Sequence, residues 1–200
     1  MTSSVRVRFA PSPTGSLHLG GVRTALYNYL LAKHHNGTFV IRVEDTDVER
    51  NQEHAADKQL ADLTWLGLNW DEGPDKEGEY GPYQQSQRLD LYKKYATELV
   101  EQGKAFYCFL TDEELDRMHS HENRQIKSPY RDMSKEETDK KLEEKTPYVI
   151  RFRNDMYNEV FSFNDAVHGE TNLKGDMVGD FVLIRSSGLP VYNFCCVIDD

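Results

Sequence analysis

Within the stretch FAPSPTGSLHLGG, residues 9–21, two prolines, three glycines and one histidine fall between a strand-like run and a helix-like run. Phosphate binding asks for such a junction: a sharp strand-to-helix turn, backbone close to the ligand, and helix N–H groups facing the anion. Pro11 and Pro13 stiffen the exit from the strand, and Gly15 supplies a reversal closed to other residues. Gly20 and Gly21 remove side chains where a flat base or a phosphate approaches. His18, near the helix start, can donate hydrogen bonds to phosphoryl oxygens as charge builds on them. The bland alternative is a structural turn followed by a surface histidine. Pro-Ser-Pro-Thr-Gly directly before His-Leu-Gly-Gly weighs against it. Neither the G-x-G-x-x-G dinucleotide fingerprint nor the G-K-[ST] phosphate loop matches.

The elements that must hold this turn are readable on both sides. Val5, Val7 and Phe9 alternate with Arg6 and Arg8, a period of two that stops at Pro11. From Leu19, apolar Val22, Leu26 and Leu30 recur at helical spacing, and Gly37 is a natural stop. Thr38 to Asp45 reads as a second strand. Leu60, Leu63 and Leu66 mark a second helix closing at Gly67. Strand, helix, strand, helix predicts an α/β fold with a parallel sheet. Residues 71–86 read as an exposed loop, followed by a helix with Leu89, Tyr92, Ala96 and Leu99 on one face. Beyond AFYCFL, Thr111 with Glu114 and Ser134 with Glu137 fit capping boxes. PYVIRFR, FVLIRS and PVYNFCCVI read as strands, the last two joined by SSG. The expected division is 1–105 for a first half-domain, 106–188 for an inserted mixed unit, and 189–200 for a returning strand.

Composition sets the outer limits. At 38% hydrophobic and 29% charged residues, the 200-residue chain can build a packed core. A net charge of −10 argues against non-specific nucleic-acid binding over the whole surface, though not against a local basic groove. Cys108, Cys195 and Cys196 make a poor disulfide framework, and the start MTSSVRVRFAP has no segment of signal-peptide length, so a cytoplasmic location is expected.

APSPTGSLHLGG resembles the HIGH-type motif of class I aminoacyl-tRNA synthetases, in the form used by glutamyl-tRNA synthetases. RVEDTDVER, GPYQQSQR and LPVYNFCCVIDD are similar to further segments of that family, so the resemblance runs from about Val5 to Asp200. It implies a Rossmann-like parallel-sheet nucleotide-binding domain with an inserted α+β acceptor-binding (connective) subdomain. It also implies a reaction: glutamate and ATP give glutamyl-adenylate, then glutamyl-tRNA. By resemblance His18, Gly20 and Gly21 are catalytic, and with Ser12, Thr14 and Gly15 they hold ATP. Arg8, Ala10, Ser12, Glu44 and Tyr192 would bind glutamate, Arg8 through its planar guanidinium. Asp47 and Arg50 would contact the tRNA end.

Read without the motif, Arg8 is equally a solvated strand arginine like Arg6. Glu44, Asp45 and Asp47 remain open to a solvated acidic turn or a metal cluster, while the resemblance favours substrate and tRNA contacts. Arg151, Arg153 and Arg185 are candidates to meet RNA phosphates or are plain strand residues. The implied partners are ATP with Mg2+ as substrate, L-glutamate and tRNA(Glu), with no membrane.

Met133-Ser134-Lys135 only superficially matches the family's K-M-S-K motif and is better read as a helix cap. Cys108 with His119 and His121 lacks the further cysteines that relatives with zinc carry, so no zinc or other metal is expected. The rival readings are a tRNA-modifying glutamyl transferase of the same superfamily, a catalytically inactive RNA-binding paralogue, and a glutaminyl-specific enzyme, whose close relatives begin the motif differently. The resemblance further implies a longer protein continuing past Asp200, and residues 1–200 alone are expected to aminoacylate weakly or not at all.

Overall fold

The computed structural model describes residues 5–47, 49–111, 113–115 and 128–200, arranged as two compact units, 1–89 and 90–200. In the first unit, β1 (Arg6–Phe9) and β2 (Thr38–Ile41) run parallel, with Arg6 opposite Thr38 and Phe9 opposite Ile41. Between them lies α1 (Leu19–His34), and α2 (Ala55–Trp65) follows β2. Gly37 permits the return into β2, because a Cβ there would lie 2.1 Å from the Val5 carbonyl oxygen.

The regular strand ends at Ile41, four residues short of the expected end, yet main-chain pairing continues. Arg42 and Glu44 donate to the carbonyls of Phe9 and Pro11, while Val43 donates to Tyr83 and accepts from Gln85. This double pairing buries Arg42, Val43, Glu44 and Asp45.

Helix α1 reverses its expected face. Its fully buried residues are Ala25 and Ala32, whereas Leu19, Leu26 and Leu30 are 83%, 40% and 51% exposed. Small residues let the helix backbone approach Phe9, Phe39 and Ile41, with Leu63, Leu68 and Trp70 completing that core. Apolar periodicity located the helix but pointed to the wrong side of it.

Residues 71–86, which the sequence reads as an exposed loop, are mostly exposed, and a few buried anchors tie them down. Arg6 grips Glu72 with two bonds of 2.6 and 2.5 Å, and the Tyr83 hydroxyl donates to the same carboxylate. Tyr83 and Gln85 are buried. Arg6 is therefore an ion-pair partner while remaining exposed. The Arg6 guanidinium holds the Glu72 carboxyl below its ordinary value, with Tyr83 adding to the effect and burial opposing it. A carboxyl depressed in the folded state stabilises above its unfolded pKa, and that stability is lost as pH falls through the folded value. Glu72→Gln is accordingly expected to flatten the loss of melting temperature on acidification below about pH 4.3. Parallel pH–melting curves for the two proteins would contradict this.

In the second unit, β3 (Ala105–Cys108), β4 (Val149–Phe152) and β7 (Val182–Ile184) form an antiparallel sheet in the order β3–β4–β7. A hairpin of β5 (Val160–Asp165) and β6 (Gly169–Lys174) stands beside it in the chain. Among the described residues the unit's helices include α3 (Leu89–Glu101), α4 (Lys135–Glu143), α5 (Gly175–Val178) and α6 (Tyr192–Asp199). Tyr92 and Ala96 are the buried residues of α3, as its spacing suggests. Both capping boxes are formed: Thr111 pairs reciprocally with Glu114, and Ser134 with Glu137. Met133-Ser134-Lys135 is thus a helix start.

The turn over 186–188 exists, with Arg185 and Leu189 paired across it and Val191 donating to Leu183. The strand expected over 190–198 does not: the chain turns into α6 and buries Phe194 and Cys195. No described helix is long and apolar enough to cross a membrane.

Candidate nucleotide-binding site

The turn from Ala10 to Leu17 is built by its neighbours as much as by its own residues. Pro11 and Pro13 are buried. The Pro11 carbonyl accepts from Glu44 N–H and the Pro13 carbonyl from Gln52 N–H. Gln59 on α2 donates its amide to two turn carbonyls, Ser12 at 3.1 Å and Gly15 at 2.7 Å. Gln59, 4% exposed, is a positioning residue that the sequence reading missed. A single polar residue beside Leu60 carries no signal of that role. Gly15 has φ 159°, close to extended backbone, so the left-handed reversal expected there is absent. The tight bend instead follows from the Thr14 N–H donating to the Ser12 carbonyl.

His18 is the N-cap of α1. Its Nδ1 accepts from Gly20 N–H at 3.1 Å and from Gly21 N–H at 3.4 Å. An imidazole that accepts at Nδ1 carries its hydrogen on Nε2, so the ring offers one outward donor. Gly20 makes room for this: an added Cβ would sit 2.9 Å from the His18 Cε1. The Gly20 and Gly21 amides are therefore engaged by the imidazole and not bare.

A cleft of about 430 Å³ opens at the turn, and Ala10, Ser12, Thr14, Gly15, His18 and Gly21 all line it, with Gln59 at its base. Gly20 lies beside the ring but outside the lining. Ser12, Thr14 and His18 are exposed and so accessible to a ligand.

Arg8 and Glu44 do not line that cleft. Strand alternation puts Phe9 and Ile41 into the core beneath α1 and Arg8 and Val40 on the opposite face. Glu44 is buried, with Arg42 donating to its carboxylate at 2.8 Å, a partner the sequence reading did not name. The side chain of Asp45 accepts from Gln84 and from the Ser86 N–H, and Asp47 accepts from Arg50. Each acid of this turn has its own partner, and among the described residues no acid or histidine cluster of metal-binding kind occurs. Tyr192 belongs to the second unit, at the first position of α6 and 56% exposed.

Two of the three arginines expected to meet phosphate are engaged within the protein. Arg151 donates to the Asp180 carbonyl at 2.9 Å, and Arg153 to Asp132, Asp155 and the Arg131 carbonyl. At the centre lies Arg131, buried between Asp180 and Asp155. Among the described residues, Arg185 makes no ion pair. The Cys108 thiol lies 3.4 Å from the Ser128 hydroxyl, and His119 and His121 lie outside the described residues.

A parallel strand pair joined by a crossover helix, with a histidine capping that helix beside a cleft, is a Rossmann-like α/β arrangement. The chain belongs to the family described as tRNA synthetases class I (E and Q), catalytic domain, whose model matches residues 4–200. It is 48% identical to a glutamate–tRNA ligase of Bdellovibrio bacteriovorus over 98% of this chain and 41% of that protein. Identity to the glutamate–tRNA ligase of Natranaerobius thermophilus is 46%, over all of this chain and 42% of the relative. The chain spans about two fifths of the length of these relatives. A crystal structure of a glutamate tRNA ligase from Elizabethkingia meningosepticum, in complex with its amino acid, superposes with a TM-score of 0.90 at 40% identity. That match covers 99% of this chain and 42% of the other. The Rossmann-like assignment of the fold agrees with these matches.

Proposed function

We propose that this chain supplies the ATP- and glutamate-binding part of a glutamate–tRNA ligase. The carboxylate oxygen of L-glutamate attacks the α-phosphorus of ATP, and pyrophosphate leaves. A terminal hydroxyl of tRNA(Glu) then attacks the acyl carbon, and AMP leaves. The observation that carries this reading is the His18 ring, oriented by Gly20 and Gly21 so that Nε2–H is its free donor beside a cleft that Ser12 and Thr14 also line.

The residues divide the work. Ser12, Thr14, Gly15 and Gly21 admit the nucleotide, and His18 donates to phosphoryl oxygen as charge develops, with catalysis resting on positioning and electrostatics. Mg2+ accompanies ATP as part of the substrate, and no zinc is proposed. Arg8 receives the side-chain carboxylate, Glu44 the ammonium with Arg42 fixing its orientation, and Ala10 completes the amino-acid contacts. Asp47 and Arg50 meet the tRNA end, and residues 106–188 form the inserted acceptor-binding subdomain. The location is cytoplasmic.

Calorimetric titration of the 200-residue chain with a non-hydrolysable glutamyl-adenylate analogue tests the reading. Saturable heat is expected, abolished by Arg8→Ala; a catalytically inactive paralogue would give none.

A further inference from the structure

A second cleft, of about 470 Å³, lies wholly within the second unit, among α3, the end of α4, β3, β4 and the turn after β7. In a chain of net charge −10, its lining is unusual: Lys93, Lys145 and Arg185 contribute three cations, and no carboxylate lines it. None of the three makes an ion pair among the described residues. Unpaired cations converging on a concave surface are the electrostatic footprint of an anion site. The end of α4 does not oppose this, because its last carbonyls are capped by the N–H groups of Glu144, Lys145 and Thr146.

The cleft also offers aromatic surface. Tyr107 and Tyr148 stand edge to face with centroids 5.0 Å apart, and Tyr148 is 37% exposed. Burial holds the Tyr107 phenol above its ordinary pKa, with Tyr148, Asp139 and Glu101 adding to the effect, so it stays an O–H donor at neutral pH. Cations beside an aromatic platform suit a phosphate joined to a planar base.

We propose that this cleft binds a nucleoside monophosphate unit, its phosphate held by Lys93, Lys145 and Arg185 and its base against Tyr148. The cleft's chemistry stands on its own; only its use for a nucleotide within an RNA strand rests on the function proposed above.

The test follows backbone amide resonances of the 15N-labelled chain during titration with adenosine 5′-monophosphate, inorganic phosphate and a single-stranded RNA hexamer. Shifts at Lys145, Tyr148, Ser186 and Gly188 are expected. They report this cleft apart from His18, so its failure is distinguishable from failure of the ATP site. Tyr148→Leu is expected to weaken nucleotide binding about fivefold or more, with Tyr148→Phe restoring it. Lys145→Ala with Arg185→Ala should lower the salt slope for the hexamer by about 1.4. Shifts with the free nucleotide identify a soluble ligand; shifts with the hexamer alone identify an RNA strand. The proposal is overturned if neither ligand moves these resonances. Inorganic phosphate binding as tightly as the nucleotide would overturn it equally.

Discussion

Asparagine in place of His18 is expected to cut glutamate activation in the full-length protein by about two to three orders of magnitude while leaving α1 capped. The imidazole has two separable tasks. Its Nδ1 accepts from the Gly20 and Gly21 amides, which a side-chain carbonyl oxygen reproduces, whereas its Nε2–H has no counterpart in asparagine at that reach. Alanine removes both functions and should lose about 1 kcal/mol of stability besides the activity. Gly20→Ala attacks the same arrangement from behind, since its methyl would push on the ring. The measurements are pyrophosphate exchange, with tRNA present, and thermal melts. Unchanged exchange in His18→Asn would remove the ring from the chemistry, and equal melting losses in the two variants would remove it from the cap.

Arg131→Met is expected to produce the largest loss of stability, about 3–5 kcal/mol. The Arg131 side chain is 4% exposed and that of Asp180 0%, so removing the guanidinium leaves a carboxylate buried without its partner. Asp180 also accepts from the Asn154 N–H at 2.9 Å, and Arg131 donates to the Asn154 carbonyl at 2.9 Å. The damage therefore spreads into the segment before the β5–β6 hairpin. A lysine keeps the charge but not the fork, and Arg131→Lys should fall between the two. For a unit of this size the methionine variant is expected to melt roughly 10 °C or more below the parent. A midpoint matching the parent would show that the cluster is not a buried charge pair.

These two sites differ in how far the sequence disclosed them. The turn at residues 9–21 was legible because proline, glycine and histidine restrict what a backbone can do, and their order matched a known motif. The same holds for the caps at Thr111 and Ser134, where a hydroxyl and a glutamate three residues on define a local geometry. Arg131 gave no signal, since its partners Asp155 and Asp180 are brought to it only by the folded chain. Gln59 and Arg42 were hidden for the same reason.

Elsewhere the pattern was present but ambiguous. The leucines of α1 located a helix, yet only packing reveals that Ala25 and Ala32 face the strands. PVYNFCCVI is rich in β-forming residues, and burial of Phe194 and Cys195 on a helix overrides that preference. The β5–β6 hairpin passed unread because most of its residues are exposed and the only apolar alternation, Phe161 and Phe163 with Ser162 and Asn164, is short.

A crystal structure of the chain with a glutamyl-adenylate analogue tests the central claim most directly. The account predicts the analogue's phosphate oxygen within about 3.2 Å of His18 Nε2. A phosphate seated away from the Ser12–His18 turn, with His18 turned to solvent, would contradict it.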